Sequence, residues 1–142
     1  MKILVATDGS KNALRAVKYA ADLLGNSTDK TKSITLISVH DDAGLRHAKA
    51  FVGKEAVADY LRELSEKELK PAMKTLDAKG IKHDMVMLVG NVSQEIVAHG
   101  QKGKYDMIVL GSKGRSAIAD MLLGSVAQRV LAQAKQPVVL VK

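Results

Sequence analysis

Ile3-Leu4-Val5-Ala6-Thr7-Asp8-Gly9-Ser10 is an unbroken apolar run that stops in a turn, and behind it Leu14, Val17, Ala21 and Leu24 recur at helical spacing before Gly25. This reads as strand, turn and helix, with Ser10 or Asp8 capping the start of the helix and Gly25 its end. The unit then repeats with variations. Ile34 to Val39 predicts a second strand, and His40 to Gly53 is polar and irregular. Val57, Leu61, Leu64, Leu69, Met73 and Leu76 predict a long helix ending at Gly80, which Pro71 should kink or divide because it lacks an amide donor. Met85 to Val89 predicts a third strand, Asn91 or Ser93 a cap for a short helix with Ile96 and Val97, and Met107 to Leu110 a fourth strand. A glycine-bounded loop from Gly111 to Gly124, a helix with Val126, Val130 and Leu131, and a fifth strand from Val138 to Val141 complete the chain. Strands that are continuously apolar must be covered on both faces. The alternation therefore implies an α/β fold, a five-stranded parallel doubly wound sheet of Rossmann-like type with helices on both faces.

Length and composition narrow the classes of function. The 142 residues are expected to form one domain, 1–142. There is no cysteine, which excludes disulfides, thiolate metal sites and thiol nucleophiles and suits a reducing cytosol. No stretch approaches the roughly 20 apolar residues of a spanning helix, and Met1-Lys2-Ile3-Leu4-Val5 is too short an apolar start for a signal peptide, so a cytoplasmic protein without membrane insertion is expected. The net charge of +7 would suit nucleic acid, but Lys and Arg are spread along the chain and Phe51, Tyr19, Tyr60 and Tyr105 are scattered. Nucleic acid is not the expected partner. A positive field that draws small anions is.

In open parallel sheets ligands bind beyond the carboxyl ends of the strands, where the strand order reverses. The richest exit is Leu110-Gly111-Ser112-Lys113-Gly114-Arg115. Glycines at 111 and 114 permit backbone conformations closed to other residues and let amides approach an anion, while Lys113 and Arg115 add positive charge. Gly124-Ser125 opens the last helix, whose first amides and dipole favour an anion, and the Ser125 hydroxyl can either cap that helix or donate to a phosphate. Read this way the loop is a phosphate cradle with two walls; read blandly, its glycines make turns. Walker and GxGxxG fingerprints are absent.

The spacing Gly111, two residues, Gly114, nine residues, Gly124-Ser125 resembles the G-x2-G-x9-G-[ST] motif of the universal stress protein family. The blocks Ile3 to Ser10, Asp106 to Ser116, Leu122 to Val126 and Gln136 to Val141 extend the resemblance over nearly the whole chain. The resemblance implies strand order 3-2-1-4-5, with Asp8 and Gly111 facing each other across the switch point. It implies an adenine nucleotide, with ATP foremost and ADP or AMP as alternatives. Asp8 would lie beside adenine and ribose, Ala6, Thr7 and Val39 would line the base, and Gly111, Gly114, Gly124, Ser125 and Val126 would hold ribose and phosphates. It also implies a homodimer through the C-terminal strand Val138 to Val141, and a role in stress response or regulation with a protein partner that the sequence does not identify. Ala117 replaces a frequent glycine and Ala119-Asp120 brings an acid where relatives often carry a base, so a stiffer, less cationic loop is expected.

No catalytic residue is identifiable: nothing marks a group that would place water in line with a γ-phosphate, so hydrolysis is expected to be slow at most. His40, His47, His83 and His99 lack metal-binding spacing and read as surface or strand-end residues, leaving no protein metal site. Mg²⁺ could accompany the phosphates, with Asp120 as the candidate acid. The alternative function is a protein-interaction module of the same fold working without nucleotide.

Overall fold

The computed structural model describes residues 1–115 and 122–142. Its strands are β1 (Lys2–Ala6), β2 (Ser33–His40), β3 (His83–Val89), β4 (Met107–Gly111) and β5 (Val138–Val141), and its helices α1 (Lys11–Gly25), α2 (Arg46–Val52), α3 (Lys54–Ala78), α4 (Val92–Lys102) and α5 (Ser125–Gln133), with a 3₁₀ turn at Ala43–Leu45. The five strands form one sheet in the order β3-β2-β1-β4-β5. Every neighbouring pair is parallel, with Ile3 opposite Ile34 on one side and Met107 on the other.

Alternation along β1 sends Ile3 and Val5 to one face and Leu4 to the other, and each face is roofed by a pair of helices. Ala16, Val17, Ala20 and Leu24 of α1 join Leu69, Ala72 and Leu76 of α3 over Ile3, Val5, Ile34, Leu36 and Val109. On the opposite face Ile96 and Val97 of α4 and Ala127 and Val130 of α5 cover Leu4, Ile37, Ile108 and Leu110. Full burial of such aliphatic side chains contributes about 1.5–3 kcal/mol each, which is what fixes the doubly wound arrangement, with Tyr105 adding an aromatic ring to the second face.

One expectation is corrected and another narrowed. The stretch from His40 to Gly53 is not irregular: it holds the 3₁₀ turn and α2. No residue of α2 is buried, so the sequence there carries no apolar periodicity to read. Nor does Pro71 divide its helix. α3 runs unbroken through it, and Thr75 Oγ1 donates to the Pro71 carbonyl at 3.0 Å, giving that carbonyl an extra partner.

Candidate functional site

β1 lies between β2 and β4, so the chain leaves the sheet in opposite directions from its centre and opens a crevice above β1 and β4. The β1 exit is a tightly wound turn. Thr7 Oγ1 accepts from the Gly9 amide, Asp8 Oδ1 accepts from the Ser10 amide, and Ser10 Oγ caps α1 by accepting from the Ala13 amide. Gly9 sits at φ +79°, a left-handed conformation that suits glycine.

Across the crevice, the glycine loop is tied down at both ends. Asp8 Oδ2 accepts from the Arg115 amide at 3.1 Å, and the Gly124 amide donates to the Ser112 carbonyl at 2.7 Å. The second bond sets the N-terminus of α5, whose first amides have no partner within the helix, against the exit of β4.

The conformational reason expected for the glycines does not hold. None of Gly111, Gly114 and Gly124 occupies the left-handed region. They are small because something is close: a Cβ on Gly111 would lie 3.0 Å from the Asn12 carbonyl carbon, one on Gly114 3.0 Å from Asp8 Oδ2, and one on Gly124 3.3 Å from Lys113 Cα. Ser125 also differs, because Gly124 holds the N-cap position and Ser125 is the first helical residue. Its hydroxyl does not serve as the cap.

A cavity of about 400 Å³ fills the crevice. Ala6, Thr7, Asp8, Val39, Leu110, Gly111, Lys113, Gly114, Arg115, Gly124, Ser125 and Val126, the residues singled out in the sequence, all line it. So do Ile37, Val92, Ile96 and Ala127, which make the floor below the loop apolar, and His40, Leu64 and Glu68, which sequence reasoning missed. Glu68 reaches in from α3 with its side chain 4% exposed; its Oε2 meets His40 Nε2 at 2.9 Å and its Oε1 faces the Arg115 guanidinium at 3.7 Å. The site is thus cationic and amide-rich at one end, apolar along its floor, and acidic at the α3 side. Among the described residues no group of three or more His, Asp or Glu side chains is gathered as a metal site. Asp120, Ala117 and Ala119 lie outside the described residues.

The sequence profile of the universal stress protein family matches residues 1–142. The chain belongs to the universal stress protein family. Universal stress protein MJ0531 of Methanocaldococcus jannaschii is 34% identical over 99% of this chain and 81% of its own length. The solved structure of MJ0577 superposes with a TM-score of 0.86 at 29% identity, covering 99% of this chain and 94% of the other. A universal stress protein solved in complex with cAMP superposes with a TM-score of 0.69 at 25% identity, covering 100% and 96%. The five-stranded order β3-β2-β1-β4-β5 is the arrangement of such structures.

Proposed function

We propose that this universal stress protein binds an adenine nucleotide, ATP foremost, in the cavity between the β1 exit and the glycine loop, and that occupancy regulates its part in the stress response. One observation carries the reading: the Gly124–Ser112 bond sets the N-terminus of α5 beside the exit of β4, and the residues of both line one cavity whose floor is apolar. Amides at a helix N-terminus suit phosphates, and an apolar slot of this volume suits a purine. The cAMP complex of a family member supports the choice of adenine.

In this reading Ala6, Thr7 and Val39 lie against the base, Asp8 beside adenine and ribose, and Gly111, Gly114, Gly124, Ser125 and Val126 along the sugar and phosphates, with Lys113 and Arg115 supplying charge. Mg²⁺, if carried, rides on the phosphates and keeps most of its waters. A chain without cysteine suits work in the reducing cytosol.

The test is to denature freshly purified protein, identify any released nucleotide by chromatography and mass spectrometry, and titrate the emptied protein with ATP, ADP and AMP by calorimetry. Release and rebinding of an adenine nucleotide is the expected result. A protein that releases none and binds none of the three would instead be an interaction module of this fold.

A further inference from the structure

Helix α3 turns most of its charge to solvent: Glu63, Glu66, Lys67 and Lys70 are exposed. Glu68 turns inward and is the buried charged residue of the described chain. A carboxylate at that depth loses hydration that must be replaced by hydrogen bonds. The replacement is partial. His40 Nε2 reaches Oε2 at 2.9 Å, but the nearest Arg115 nitrogen stands 3.7 Å from Oε1, past hydrogen-bond length, and that guanidinium is itself 57% exposed. An ionised carboxylate offers about four acceptor positions, so Oε1 retains acceptor capacity while Glu68 lines the cavity. The β1 exit is shaped around it, since a Cβ on Gly9 would lie 2.9 Å from Glu68 Cγ.

Resting on the assignment of an adenine nucleotide to this cavity, we propose that Glu68 is a specificity-determining residue: its Oε1 accepts a hydrogen bond from a donor on the nucleoside part of the ligand. The pocket is then bipolar, with amide donors for the phosphates and a buried acceptor for the other end. His40 is a positioning residue that fixes the carboxylate through Oε2. A nucleoside that presents an acceptor at that point meets a buried negative charge and binds more weakly. Two donors have this chemistry, the exocyclic amine of adenine and a ribose hydroxyl.

The experiment titrates wild type, Glu68→Met and Glu68→Gln with ATP, inosine triphosphate, 2′-deoxy-ATP and 3′-deoxy-ATP by calorimetry. Inosine carries a carbonyl in place of the amine, and each deoxy analogue lacks one hydroxyl, so the arms separate the two donors. Methionine is unbranched, apolar and a good helix former, and glutamine keeps a carbonyl acceptor in nearly the same place. Wild type is expected to bind at least one analogue about ten-fold or more weakly than ATP, the size of a hydrogen bond to a charged group. In Glu68→Met that ratio should fall to about one, and in Glu68→Gln part of it should return. Taking the ratio within each variant cancels any general change in phosphate affinity caused by removing a negative charge. Equal binding of all four ligands by wild type, or a ratio unchanged in Glu68→Met, would overturn the proposal. A wild type that binds none of the four would remove the nucleotide assignment itself, and this inference with it.

Discussion

A methyl group on Gly111 would press on the Asn12 carbonyl carbon at 3.0 Å and its oxygen at 3.1 Å, main-chain atoms at the start of α1 that have nowhere to swing. Gly111→Ala is therefore expected to cost about 1–3 kcal/mol of stability in urea melts. Gly124 differs in degree, because its φ of −72° is open to any residue while its added Cβ would meet Lys113 Cα at 3.3 Å, main chain that must give by a few tenths of an ångström. Gly124→Val should melt cooperatively yet show no ATP binding by calorimetry, as should Gly114→Val, since the branched side chains press on the loop main chain and on Asp8 Oδ2 and so displace the walls of the proposed phosphate site. Undiminished binding by both would remove the loop from the site. Asp8 accepts from both the Ser10 and Arg115 amides, so Asp8→Ala should lower stability by about 0.5–1.5 kcal/mol for each bond lost, and with it the melting temperature, and should weaken ATP binding as well. An unaltered dissociation constant with a lowered melting temperature would confine Asp8 to the turn. The motif positions were legible because glycine, serine and charge recur there at a fixed spacing. Glu68 was not: it sits between Lys67 and Leu69 in a helix rich in surface charge, and only the fold reveals that this one acid points inward.

Strands were read within a residue or two because each is a short apolar run between turns, whereas α2 escaped because Arg46 to Val52 bury nothing and so leave no periodic trace. Pro71 was read as kinking or dividing its helix, and the helix is not divided: Leu69, Ala72 and Leu76 are all buried around it, and their packing outweighs one missing amide. Pro71→Ala restores that amide and should raise stability by about 1–2 kcal/mol, less than the roughly 3 kcal/mol intrinsic penalty because the helix has already adapted; denaturant midpoints will show it. At the end of α4, burial, reinforced by Lys2 and Lys102, holds the His99 imidazole below the usual histidine range. Between that lowered value and about 6.5 the unfolded chain binds more protons than the folded one, so His99 contributes stability at neutral pH that is lost as pH falls through this window. Melting temperatures of wild type and His99→Gln from pH 7.5 to 5 should diverge accordingly, with the flatter limb in the variant.

At the scale of the molecule, both edges of the sheet carry apolar residues. β3 leaves Met85, Met87 and Val89 from 36% to 48% exposed, while β5 is half-buried throughout. We propose the outer backbone edge of β5 as the seam of a homodimer. The Pro137 and Val141 carbonyls both point to β4, accepting from Ile108 and Ser112, so by alternation Val139 also faces inward and Val138 and Leu140 present their amides outward. Leu140→Pro removes an outward donor and should convert a sedimenting dimer to monomer, whereas a proline at 139 would strike the internal ladder. A wild type that stays monomeric, or a Leu140→Pro dimer that Met87→Lys dissolves, would move the seam away from β5 or abolish it. The same sheet order has a consequence in time. The first of the five strands takes the centre, and Val5 waits for its partner Val109 until roughly a hundred more residues have emerged from the ribosome, which at about 5–20 residues per second is on the order of 5–20 s. Throughout that interval Ile3, Leu4 and Val5 have one edge and parts of both faces uncovered, so the N-terminal strand is the segment a nascent-chain chaperone would be found holding.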